Sequence, residues 1–175
     1  MLAPWRRLPS PAPEGELVGR AQRGDDAAFE ELIGATQGRL YTLAARLLQS
    51  RAEAEDVVQE AYIAAYTHLA ELDAGRSPLP WLSTVTTRLC LNRLRSLKRL
   101  AGAQAEVVLE DSAPDRVALQ EALASLSDEG RAVILLHYWG GYSCKEIGEM
   151  LDRGESAVKV QLFRSRERLR QWYKR

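Results

Sequence analysis

The sequence predicts an all-α protein: two small helical bundles joined by a flexible acidic linker. Three observations carry this. Apolar residues recur at steps of three and four along almost the whole chain from Leu17 onward. No stretch shows the convincing apolar–polar alternation of a half-buried strand. The helical periodicity lapses over residues 101–115, where acidic residues and Pro114 collect. With 175 residues, 46% hydrophobic and 27% charged, the chain can bury one or two small cores and is neither wholly disordered nor fibrous.

Residues 1–15 hold Pro4, Pro9, Pro11 and Pro13 without periodicity and read as a flexible tail. The first domain is placed at 16–100. Phe29, Leu32, Ile33, Thr36, Leu40, Leu43, Ala44 and Leu47 form one stripe of an amphipathic helix. Ser50 to Glu53 has capping-box form and opens a second helix with Val58, Ala61, Tyr62, Ala65, Tyr66 and Leu69 inward. After the loop at 73–77, Pro78 and Pro80 suit the first turn of a third helix, about 79–99, with Leu82, Val85, Leu89 and Leu97 inward. Beyond the linker, the second domain (116–175) reads as helices at 116–125, 128–139, 144–151 and 155–173. Ser127 and Ser143 cap two of these, and Gly140-Gly141 makes a turn.

The formal net charge is zero, yet the charges are segregated. Residues 81–105 carry five bases and no acid, and 152–175 carry eight bases against three acids. Residues 25–80 and 106–130 are acidic. Two separate basic segments suggest two contacts with a polyanion, and the acidic ones a different, basic partner. No apolar run approaches the roughly 18–20 residues of a membrane span, and no secretory signal follows Arg6 and Arg7, so stable membrane insertion is not expected. Cys90 and Cys144, 54 positions apart, offer no CxxC, no metal-ligand spacing and no disulfide framework, which suits a reducing cytosol. His68 and His137 stand alone. The expectation is no metal, no catalytic set and no cofactor.

A short helix, a three-residue turn and a longer basic helix have the layout of a helix-turn-helix. Val158, Leu162, Ser165 and Leu169 make one inward stripe on the last helix. The opposite side presents Glu155, Ser156, Lys159, Val160, Phe163, Arg164, Arg166 and Arg170, a surface suited to a DNA major groove. An ordinary helical hairpin with a solvated basic face remains open at this point. In the middle helix, Thr84, Arg88, Asn92, Arg95 and Arg99 fall on one outward face that could track nucleic acid or simply meet solvent. Trp81 could stack a base or anchor the bundle. Glu53, Asp56 and Glu60, with Gln59 adjacent, form an acidic face that the helix dipole alone would favour.

Three stretches together resemble bacterial extracytoplasmic-function (ECF) sigma factors. These are Ala54 to Tyr62 (AEDVVQEAY), Pro80 to Arg95, and Tyr142 to Ile147 followed by Val158 to Arg166. The resemblance covers about 17–100 and 116–172. It implies a promoter-specificity subunit that is not an enzyme and that works in the bacterial cytoplasm. The partners implied are core RNA polymerase (the largest-subunit clamp helices and the flap), promoter DNA, and an anti-sigma factor that could hold the chain at the membrane. It assigns Asp56, Gln59 and Glu60 to the polymerase. Trp81, Arg88, Asn92, Arg95 and Arg99 would serve the −10 element and its melting. Ser156, Lys159, Val160, Phe163, Arg164 and Arg166 would serve the −35 element. The linker would thread toward the polymerase active-site channel. Arg88 stands where the family often has Asn, and Asn92 where it often has Asp. Asp152 and Arg153 replace the usual Gly and Ile of the turn, and Gln161 a common Arg. A free-standing helix-turn-helix regulator would explain 116–175 but leave 17–100 without a role.

Overall fold

The computed structural model describes residues 13–101 and 114–174, and the described residues form helices with no strand among them. Helix α1 (Pro13–Gln22) begins inside the stretch expected to be a tail. Proline suits a first helical position. The next residues are held down: Glu14 is buried, accepts a hydrogen bond from Ser77 and lies 3.8 Å from Arg39. A Cβ on Gly15 would lie 3.0 Å from backbone atoms of Ala74 and Arg76, so a side chain there would press on the loop before the fourth helix. Composition alone hid these tertiary contacts. The remainder of the expected tail, 1–12, lies outside the described residues.

Gly24, at φ 91, ends α1, and Asp25 caps α2 (Asp26–Leu48) by accepting from the Ala28 N–H. Gln49 turns the chain in the left-handed region at φ 54. Ser50 then caps α3 (Arg51–Thr67), accepting from the Glu53 N–H at 3.4 Å. A short 3-10 turn (Leu69–Glu71) precedes α4 (Leu79–Ala101). Leu32, Leu40, Leu47, Val57 and Leu82 are fully buried where these helices meet. Within that core the Thr36 and Tyr62 hydroxyls bond at 2.7 Å, which satisfies two polar groups that would otherwise be costly to bury. Burial pushes the Tyr62 phenol pKa up. Tyr66, expected on the buried stripe, is exposed instead. Its ring stands edge-to-face with that of Phe29, near the start of α2, at 5.2 Å.

The second unit comprises α5 (Pro114–Ala124), α6 (Asp128–Ile134) continuing as a π-turn (Leu135–Trp139), α7 (Cys144–Leu151) and α8 (Glu155–Tyr173). Ala101, Pro114 and Asp115, expected in the linker, lie in helices, while 102–113 fall outside the described residues. Ser127 caps α6, and a reciprocal capping box between Ser143 and Glu146 starts α7. Val133, Leu136, Ile147 and Val158 fill the core.

α4 buries more than its expected stripe. Leu82 is fully buried, but Val85, Leu89 and Leu97 are only partly covered. Ser83, Thr86, Thr87, Cys90 and Leu91 are buried instead. The cause is position: α4 packs on α2 and α3 and also meets α6 and α7 of the second unit. Two of the buried hydroxyls find partners, Thr87 donating to the Ser83 carbonyl and Ser83 accepting from Tyr142, while the Thr86 hydroxyl has no hydrogen-bond partner among the described residues.

Cys90 is sealed in this packing, and burial pushes its thiol pKa up to about 12. Cys144 is half-buried. With a thiol-reactive dye at neutral pH, native protein is therefore expected to release one equivalent of product rapidly and the second only on unfolding.

Candidate nucleic-acid interface

The helix-turn-helix is built by α7 and α8. Asp152 reverses the chain at φ 56, and the Arg153 N–H closes the end of α7 by donating to the Gly148 carbonyl at 2.8 Å. This brings the turn so near α7 that a Cβ on Gly148 would lie 2.6 Å from the Arg153 carbonyl oxygen. Gly148→Ala is expected to lower stability by about 1–3 kcal/mol, because the clash is with backbone and only a shift of α8 relieves it. Thermal melts would measure the loss. Arg153 also pairs with Glu129, which fastens the turn to α6.

Because Val158, Leu162 and Ser165 are buried, α8 turns Ser156, Lys159, Val160, Phe163, Arg164 and Arg166 outward. Phe163 is 64% exposed and Val160 49%, one turn apart, an unusual pair of apolar groups facing water on a basic helix. Lys159 pairs with Glu155 at 2.6 Å; that bond raises the lysine pKa and lowers that of the carboxyl. Arg166 lies over the Tyr138 ring at 5.3 Å. Arg164 has no ion-pair partner among the described residues, which leaves its guanidinium fork available.

On α4, Asn92, Arg95 and Arg99 are exposed, and Trp81 is half-buried with its ring 6.1 Å from His68. Arg88 departs from a simple open track. Its Nε donates to the Met150 carbonyl at the end of α7, 2.8 Å away. Sequence periodicity places Arg88 on the face correctly but contains no sign of this partner 62 positions away.

Acidic residues of α3 divide in the same way. Asp56 and Gln59 are exposed. Glu60 is tied to Arg93 of α4 at 2.9 Å, and Arg93 also approaches Glu53 at 3.3 Å. The acidic face is thus partly an internal brace. Beside Gln59, a groove of about 580 Å³ opens between α2 and α3, lined by Ile33, Gly38, Tyr41, Val58 and Tyr62 with Glu55 at its rim. The sequence reading missed this groove. Gly38, which lines the groove without a side chain, is a signal the sequence does contain.

Comparison with known proteins places the chain in a family. Residues 32–100 match Sigma-70 region 2, and residues 116–169 match Sigma-70, region 4. The ECF RNA polymerase sigma factor SigW of Bacillus subtilis is 31% identical over 173 residues, spanning 87% of this chain and 92% of SigW. The ECF RNA polymerase sigma factor SigK of Mycobacterium tuberculosis (strain H37Rv) is 32% identical over 162 residues, 83% of this chain and 86% of SigK. In fold, the chain resembles the sigma factor RpoE of Bartonella quintana, solved in complex with the anti-sigma factor NepR: TM-score 0.74, 23% identity, 83% of this chain and 96% of that one. By its two matched regions and by relatives along most of its length, this chain belongs to the ECF RNA polymerase sigma factors.

Proposed function

We propose that the chain directs core RNA polymerase to promoters by reading two DNA elements with two helices, α8 at −35 and α4 at −10. The observation that carries this is the presence, in one chain, of two separate cation-bearing helix faces beside an acidic, apolar-floored groove. On α8, Ser156, Lys159, Val160, Phe163, Arg164 and Arg166 meet the major groove. Arg164 suits a guanine edge, and Val160 and Phe163 suit apolar contact with thymine methyls. On α4, Asn92, Arg95 and Arg99, joined by Arg88 when it is free, follow the phosphates of the opened strand, and Trp81 offers a ring for an unstacked base. Asp56 and Gln59, with the α2–α3 groove, take the polymerase clamp helices, and Glu60 braces that surface through Arg93. The module 116–175 meets the flap.

On this reading the chain needs no catalytic centre of its own, because polymerase supplies the chemistry. Two weak DNA contacts fixed on one large enzyme gain affinity through effective concentration. An anti-sigma protein covering the α2–α3 groove would silence the chain, in keeping with the partner named for the Bartonella quintana relative. No helix among the described residues is long and apolar enough to cross a membrane. The proposed site of action is the bacterial cytoplasm, with any membrane tether supplied by the anti-sigma partner. Hydroxyl-radical footprinting of the chain bound to core enzyme on a promoter tests the division of labour. Two protected patches near −35 and −10 are expected, and substitution of Arg95 and Arg99 by Ala should erase only the downstream one. A single patch, present without polymerase, would fit a free-standing operator binder instead.

A further inference from the structure

α1 presents two adjoining faces to its surroundings. Leu17, Val18 and Ala21 are buried and dock the helix on the core of the first unit. Beside them Gly15, Gly19 and Gln22, at i, i+4 and i+7, share a face turned to the loop at 72–78 that leads into α4. A Cβ on Gly19 would lie 3.3 Å from the Ala74 Cβ, as one on Gly15 would press on the Ala74 carbonyl, so the loop lies against the bare side of the helix.

Both ends of the loop are fastened to α1. At its start, the Gln22 amide donates both hydrogens, to the Leu69 and Leu72 carbonyls, each at 2.8 Å. At its close, Glu14 accepts from the Ser77 hydroxyl, and Ser77 Oγ accepts from the Leu79 N–H at 3.2 Å. Leu79 opens α4, and an amide at a helix start has no partner within its own helix. Ser77 can serve it in this way only while something at position 14 takes the hydroxyl proton. An apolar side chain would be easier to bury at 14 than a carboxylate, so what Glu14 supplies is the acceptor.

The loop's own bonds do not replace these. Gly75 N–H to Asp73 Oδ1 at 2.8 Å and Arg76 N–H to the Asp73 carbonyl at 3.1 Å join residues two or three apart. They shape a turn without locating it. Asp73, Ala74, Gly75 and Arg76 are exposed. Two rings flank the loop: His68 just before Leu69, and Trp81 on the first turn of α4, with centroids 6.1 Å apart. Gln22 holds the His68 side and Glu14 the Trp81 side.

We propose that α1 is a splint for the loop at 72–78. Glu14 and Gln22 are positioning residues for capture of the opened −10 strand, acting through the loop on Trp81 rather than on DNA themselves. Their part in capture rests on the −10 role proposed above for Trp81 and α4; the splint itself does not. With either fastening cut, the loop and the first turn of α4 are no longer ordered in advance, and the DNA must supply that ordering when a base leaves the stack.

Hydrogen exchange of the full chain, and initiation by the chain with core polymerase, test this. Gln22→Met removes both donors at an exposed position where methionine is a good helix former. Glu14→Leu removes the acceptor, and Glu14→Gln keeps an acceptor without the charge. In Gln22→Met and Glu14→Leu, amides of 69–79 should exchange at least about tenfold faster, with polymerase binding near wild type. Initiation from a duplex promoter should fall about tenfold, comparable to ordering one backbone residue. On the same promoter with its −10 element opened beforehand, it should return to within about twofold of wild type, because unpairing no longer opposes capture. Glu14→Gln should keep about half of wild-type initiation on the duplex. A merely weakened fold would lower both templates alike. Gln22→Met keeps the test valid if Glu14→Leu fails to fold. Unchanged exchange in the folded variants would overturn the splint. Faster exchange with wild-type initiation, or equal loss on both templates, would overturn the positioning role. Wild-type initiation by Trp81→Ala would strike the −10 reading and leave the exchange result standing.

Discussion

Asp56→Lys is expected to abolish co-purification with core RNA polymerase while leaving the melting temperature within about 2 °C of wild type. Asp56 is exposed on α3 and has no ion-pair partner among the described residues, so the fold loses little when its sign is reversed. Lysine is a good helix former and gives up only the small dipole contribution of an acid near the helix start. A basic partner surface, by contrast, meets a like charge in place of an opposite one, at a cost of about 2–5 kcal/mol where the contact is desolvated. Glu60→Lys makes the informative contrast. It sets a lysine against Arg93, which already bridges Glu53 and Glu60, so it should lower both polymerase binding and thermal stability. A pull-down alongside a thermal melt separates the two. Equal melting losses for both variants would mean that the acidic face is structural throughout.

The second large effect is expected on α8. Arg164→Ala should reduce transcription from promoters that depend on a −35 element by about 1–3 kcal/mol, or roughly 5- to 150-fold, while core binding stays intact. Arg164 is exposed and free of ion pairs among the described residues, unlike its neighbours Lys159, held by Glu155, and Arg166, which lies over Tyr138. Removing it takes away a fork of donors without disturbing the fold. Arg170→Ala, by comparison, loses only a surface pair with Glu167 and should change little. Multiple-round transcription with both variants at equal occupancy of core enzyme measures the difference.

Much of the fold was legible because its signals are local. Ser50, Ser127 and Ser143 cap the helices their spacing predicts, and α8 buries Val158, Leu162 and Ser165 as its stripe requires. What escaped the sequence depends on distant partners. The start of α1 at Pro13 is fixed by the loop around Ala74 and Arg76, and proline-rich composition points the other way. Tyr66 fits the periodicity of α3, but it is exposed, with its ring edge-to-face with Phe29. Ser83 is buried where Tyr142 of the second unit meets α4, and a hydroxyl side chain gives no apolar signal of that. Among site residues, periodicity placed Arg88, Asn92, Arg95 and Arg99 on one face of α4 and Phe163 outward on α8. It could not reveal that Arg88 reaches Met150 or that Glu60 is spoken for by Arg93, since both partners come from other helices.

Run-off transcription bears on the central claim most directly. Purified chain, mixed with core RNA polymerase lacking any other sigma factor and with a promoter library, is expected to yield transcripts from a defined subset whose upstream DNA shares two spaced elements. The same mixture without the chain should stay silent. Transcripts from no template, with core binding confirmed and no inhibitor present, would contradict the account.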